Sequence, residues 1–190
     1  MPASEEAAAH RPAKIELYNL KDDGGIPNNA ALPLLVYHGA LRPEEHGDDP
    51  AAPFEQTFAA NGWRGTWRNG IFPYHHYHST AHEVLGIARG EATVRLGGER
   101  GVTLRVRPGD VLVIPAGVGH RNLGADPDLL VVGAYPEGQE GYDLCRGGPD
   151  ERPRALANIA RVPLPATDPV YGADGPLIEH WHGKPPAAEP

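Results

Sequence analysis

The chain has 190 residues and a formal net charge of −8, a size that suits one domain with extensions. Its 24 glycines and 21 prolines favour short strands and turns over long helices, and the acidic balance with scattered arginines argues against a nucleic-acid groove. No apolar run approaches the ~20 residues that span a bilayer, no apolar N-terminal core marks a signal peptide, and the single cysteine, Cys145, allows no internal disulfide, so a cytoplasmic protein without membrane contact is the expectation.

Residues 1–13 lack strand periodicity and read as a mobile N-terminal segment. The run KIELYNL (14–20) alternates, with Ile15, Leu17 and Tyr18 suggesting a strand that ends before KDDGG. LPLLVYH (32–38) is apolar enough to be buried on both faces. After a loop over 41–53, FEQTFAANG (54–62) reads as a short helix, with Phe54 and Phe58 four apart and Gly62 as its C-cap. WRGTWRNG (63–70) leads into the densest chemistry of the chain; Trp63, Trp67, Tyr74 and Tyr77 read as core or rim aromatics.

Between Gly70 and Gly90, four of the ten histidines (His75, His76, His78, His82) and Glu83 fall within nine residues. The flanks read as strand: Ile71, Phe72, Tyr74 and Tyr77 before, Val84, Leu85 and Ile87 after. Side chains alternate along a strand, so His76 and His78 share a face and are spaced to bind one ion, while His75 faces away. The five-residue step to Glu83 breaks that period. A turn or bulge at Ser79-Thr80 resets the phase and sets Glu83, Leu85 and Ile87 on one face, with the carboxylate at the mouth. His82 lies across that turn as an alternative ligand, a support for a ligand, or a proton-transfer base near the ion.

After Gly90, ATVRLGG and VTLRVRPG alternate apolar residues with arginine around a GGERG turn, the pattern of half-buried strands with their arginines in water. DVLVIPAG is an apolar run stopped by Pro115 and Gly117, and a turn there presents His120 at the start of the next strand. DLLVVGAYP (128–136) supplies another buried strand. ERPRALANIARV (151–162) predicts a helix with Leu156, Ile159 and Ala160 on its packed face. The end of the chain holds a second His-x-His, His180 and His182, expected in a tail or docked strand. This succession predicts an all-β sandwich or barrel: 14–145 as the main domain, 146–190 as a helix and Pro-rich tail packed on it.

The first dense stretch resembles the first motif of the cupin superfamily, Gly-x5-His-x-His-x4-Glu-x6-Gly, in Gly70, His76, His78, Glu83 and Gly90. Gly109, Pro115, Gly117 and His120 match the second motif, whose usual closing asparagine is here Gly124, with Asn122 nearby. Within that superfamily the chain looks most like the YjlB-like bacterial group. The resemblance covers residues 62–135 and implies a jelly-roll barrel with short helical decorations. It also implies His76, His78, Glu83 and His120 as ligands of one divalent ion, and a homodimer, for which the LPLLVYH run offers apolar surface.

Three imidazoles and a carboxylate suit Fe, Mn, Ni, Zn or Cu and leave coordination positions open, as catalytic sites do. The leading expectation is a mononuclear-metal oxygenase acting on a small organic substrate. The alternatives are an isomerase or epimerase using the ion as a Lewis acid with His82 as base, and a non-enzymatic small-molecule-binding or sensor protein.

Overall fold

A computed structural model describes residues 14–183. The expected mobile segment 1–13 and the end of the Pro-rich tail, 184–190, lie outside the described residues. Nine strands and two α-helices follow one another as β1 (Lys14–Tyr18), β2 (Leu34–His38), α1 (Ala52–Ala60), β3 (Trp63–Asn69), β4 (Glu83–Arg89), β5 (Ala92–Leu96), β6 (Val102–Val106), β7 (Val111–Ile114), β8 (His120–Ala125), β9 (Leu130–Pro136) and α2 (Arg152–Ile159). They form a six-stranded sheet in the order β1-β2-β7-β4-β9-β3 and a three-stranded sheet in the order β6-β5-β8, every pairing antiparallel. No helix among the described residues is long and apolar enough to cross a membrane.

Alternation decides which residues meet between the sheets. Leu34, Val36, Leu85, Ile87, Leu112, Ile114 and Val131 of the larger sheet pack on Val94, Leu96 and Val106 of the smaller one. The opposite parity of the larger sheet, including Leu35, Tyr37, Val84, Val113 and Ala134, is covered by Phe54 and Phe58 of α1 and by Val170, Leu177 and Trp181 from the C-terminal segment. Buried Asp168 ties that segment down by accepting the Tyr37 hydroxyl at 2.6 Å and the Val170, Tyr171 and Leu177 amides.

Both faces of β2 are therefore buried, as its continuous apolar run predicts. The strand is not an edge, however: it lies between β1 and β7 and its outer face is covered from within its own chain. The apolar surface invoked for a homodimer is used inside the protomer.

The helix expected over 54–62 starts two residues earlier, with Asn61 as C-cap and Gly62 beyond it at φ 77°. In α2 the packed face is only partly the one expected. Ala155 is buried against Ile26, Tyr77 and Cys145 and Ile159 lies half-buried against Gly117, whereas Leu156 and Ala160 are exposed. In the second motif, Gly117 has φ 91° and lies so close to the Asn28 carbonyl that a Cβ would clash. The departure at Gly124 costs no turn: Asn122 Oδ1 accepts the Gly124 amide at 2.8 Å across a bulge in β8.

Candidate metal centre

Residues 70–82 do not form the strand expected over Ile71–Tyr77. Pro73 has no amide to give a ladder, and the chain bends at 73–74. What remains is two isolated bridges, His76 to His120 and Tyr77 to Cys145. The first is reciprocal, His76 N–H to His120 O at 3.3 Å and His120 N–H to His76 O at 3.0 Å, and it sets the two imidazoles with centroids 4.1 Å apart. At Ser79-Thr80 the chain turns, held by the Asp143 carboxylate, which accepts the Ser79 amide at 2.6 Å, the Thr80 amide at 3.2 Å and the Ser79 hydroxyl. That turn brings Glu83 onto the inner face, one residue pair before Val84–Ala134 in the β4–β9 register.

Each of the three inner histidines spends Nδ1 on a backbone carbonyl: His76 on Tyr74 at 3.2 Å, His120 on Val118 at 3.1 Å, and His78 on Asp143. A carbonyl can only accept, so Nδ1 carries the proton and Nε2 is left bare, the tautomer that binds a metal. The ligand atoms of His76, His78 and His120 lie within 4.8 Å of one another, all three residues buried. Glu83 joins them through Oε2, 3.1 Å from His120 Nε2 and 3.3 Å from His78 Nε2. Its Oε1 accepts the Tyr135 hydroxyl at 3.1 Å, while no donor is aligned on buried Oε2. Three clustered imidazoles, with an unsatisfied carboxylate oxygen beside two of them, fit a divalent ion.

The electrostatics agree with that fit. Burial, with the neighbouring His120, pushes His76 down to about 3, so its ring is neutral at ordinary pH. Burial opposes ionisation of Glu83, but the adjoining His78 and His120 rings hold its carboxyl well below the usual range. For His78 burial pulls downward, and the Glu83 carboxylate outweighs it and raises the pKa. Burial and then the Glu83 charge push Tyr135 far up, so its hydroxyl stays a neutral donor.

The four side chains form part of the wall of a cavity of about 290 Å³ that also touches Trp67, Arg68, Ile71, Phe72, Leu85, Tyr135, Tyr142 and Leu144. Trp67 lies across Gly133, where a Cβ would collide with the indole, and from there its Nε1 donates to the Tyr135 oxygen at 2.8 Å. Trp67, Tyr135 and Glu83 thus form one chain of hydrogen bonds. Tyr135, Tyr142 and Asp143 were not candidates from sequence; a tyrosine inside an apolar strand and a backbone carbonyl carry no local signal of a site.

The remaining histidines stand apart. His75 is half-buried beside Glu99 and outside the cluster, as its parity predicts. His82 precedes Glu83 by one residue, so its ring falls on the outer face, 4.8 Å from the Trp181 ring, with Nδ1 accepting the Ala116 amide. Burial pushes it down to about 4, and it does not line the cavity. The expected position of His82 near the ion is therefore corrected: extended backbone cannot turn both His82 and Glu83 inward. His180 and His182 belong to a single π-helical turn, Ile178–His182, that seats Trp181; His182 Nε2 meets the Pro165 carbonyl at 2.7 Å.

Two packed antiparallel sheets with three histidines and a glutamate converging between them define a jelly-roll protein with a candidate mononuclear metal centre. Residues 67–131 match the cupin domain family, and the chain is 45% identical over 166 residues to the uncharacterised protein YjlB of Bacillus subtilis, covering 87% of this chain and 96% of YjlB. The chain belongs to the cupin superfamily, as a YjlB-like cupin. Among solved structures it is similar to acireductone dioxygenase from Bacillus anthracis with a cadmium ion in its active centre, at 19% identity and TM-score 0.35 over 47% of this chain and 60% of that one. It is also similar to Bacillus subtilis oxalate decarboxylase with Mn(II) centres, at 16% identity and TM-score 0.35 over 62% of this chain and 28% of that one. The chain spans less than two thirds of the length of either enzyme.

Proposed function

We propose that this cupin is a mononuclear metal-dependent oxygenase acting on a small organic molecule. The observation that carries the reading is the buried cluster of His76, His78 and His120, with the Glu83 carboxylate beside His78 and His120, on the wall of a cavity that still has room for a guest. His76, His78, Glu83 and His120 would hold the ion, from among Fe, Mn, Ni, Zn and Cu. A redox-active ion there, iron foremost, supplies open positions for substrate and dioxygen and the electron that dioxygen needs.

The chain's own residues orient and exclude. The three Nδ1–carbonyl bonds fix the imidazole tautomers, Tyr135 fixes the rotation of Glu83, and the apolar wall keeps bulk water from the guest. Dioxygenation suits this cavity better than isomerisation. Moving a proton between carbons needs a base, and among the described residues the lining offers, beyond the four ligands, only the phenols of Tyr135 and Tyr142 and no imidazole or carboxylate. Insertion of both atoms of dioxygen draws its electrons from the substrate and needs no such base.

Elemental analysis of protein purified without chelator or metal-affinity resin, followed by oxygen uptake with small phenolic and enolisable acids, tests this. Iron in the site and iron-dependent oxygen uptake are expected. Zinc in the site with no uptake after iron loading refutes it and leaves Lewis-acid isomerisation or ligand binding alone.

A further inference from the structure

Three of the large apolar side chains that the fold leaves most exposed, Phe72 at 44%, Tyr142 at 40% and Leu144 at 43%, all line this one cavity. Two of them flank ligands: Phe72 meets the His76 ring edge-on at 5.2 Å, and Tyr142 meets His78 at 4.9 Å. Each ring is backed by a second, Phe72 by Tyr74 at 4.9 Å and Tyr142 by Tyr135 at 4.1 Å. Trp67, Ile71 and Leu85 continue the apolar wall. The cavity therefore runs from a polar floor, where the ligands lie, past backed aromatic rings to a rim where exposed Phe72, Tyr142 and Leu144 share the edge with Arg68 and Asn69.

The charges are as one-sided as the shape. Apart from the ligand set, the only charged side chain of the lining among the described residues is Arg68. Its guanidinium makes four hydrogen bonds to Asp49 and Glu55, at 2.6 to 3.1 Å, and neither carboxylate lines the cavity. A second anionic group on a substrate, a phosphate or a distal carboxylate, would find no uncommitted cation in this wall.

We infer that the substrate is a compact molecule with one oxygen-chelating head and an uncharged apolar or aromatic body, the head meeting the ion and the body lying against Phe72, Tyr142 and Leu144. The inference rests on the reading of the site as an open metal centre. The volume, at the lower end of the ~300–1,000 Å³ usual for ligand pockets, limits the body to about one ring. Phenolic, enolic or α-hydroxy acids with a single ring or short alkyl chain have this form, and sugar phosphates and nucleotides do not.

The test uses two probes with the same head, benzohydroxamate and acetohydroxamate, titrated calorimetrically into cobalt-loaded full-length protein. Cobalt also reports head contact through its visible spectrum. Burial of the phenyl group should make benzohydroxamate bind roughly ten- to a hundredfold tighter. Leu144→Ser, at an exposed position that flanks no ligand, should shrink that ratio while leaving acetohydroxamate affinity unchanged. Equal affinities with an altered cobalt spectrum overturn the inference and leave the open metal centre intact. If neither probe changes the spectrum or binds, the open centre itself falls, and the inference with it.

Discussion

Glu83→Gln separates what the carboxylate does for the ion from what it does for the fold. In the metal-free protein the exchange is nearly isosteric: the amide oxygen can still accept the Tyr135 hydroxyl, and the amide nitrogen can donate towards Nε2 of His120. Fold and β-sheet circular dichroism should survive. The lost charge matters only to the ion. At an effective dielectric of about 20, a unit charge about 4 Å from a dication contributes about 8 kcal/mol gross. Desolvation of a buried carboxylate offsets several kcal/mol of that, leaving a net loss of a few. Removing a group that only supports a ligand costs ~10–100-fold, so loss of this charge should exceed the upper end of that range. Competition against a chromophoric chelator reads the affinity directly. His82→Ala, on the opposite face, is the control and should retain the ion. A variant set in which His82→Ala empties the site and Glu83→Gln leaves it full would falsify the arrangement, for it would require Glu83 to face away from the cluster.

Tyr135→Phe strips the only hydrogen bond from Glu83 Oε1 and should weaken metal binding by ~10–100-fold with the fold retained; unchanged affinity in the chelator assay counts against a positioning role. His78 makes binding pH-dependent. Its pKa is raised in the metal-free fold, so its proton stabilises that fold fully below the unfolded value of 6.5, and the contribution is lost as pH rises through the raised value. An ion must displace that proton, so affinity should fall as pH drops below the raised value, with about one proton released per ion. Calorimetry in two buffers of different ionisation enthalpy measures this, and binding without proton release contradicts it. With β2 buried, a homodimer would have to pair through β1, a sheet edge whose Ile15 and Leu17 are exposed. Light scattering should then give twice 20.3 kDa and Leu17→Lys should halve it; a single-chain mass for the unaltered protein refutes pairing.

Alternation and spacing were enough to locate most strands and to put His76, His78 and Glu83 on one face, while His120 joined them only through the resemblance to the second cupin motif. Period-two runs such as ATVRL and VTLRV carry their own burial pattern, and the HxH pair and the turn before Glu83 depend on residues within ten of one another. What lay beyond sequence was every relation set by a distant partner. Tyr135 is 52 residues from Glu83 and Asp143 is 65 from His78, and only the β4–β9 pairing and the Asp143-held turn bring them together. The same holds for faces. Parity in the HEV segment says that His82 and Glu83 point oppositely, but not which one looks inward; packing decides that, with Trp181 and α1 closing the outer face and the smaller sheet closing the inner one. An apolar run such as LLVY states that it must be buried. Whether its own C-terminal segment or a second chain buries it depends on where Asp168 anchors that segment, and that is a property of the folded chain alone.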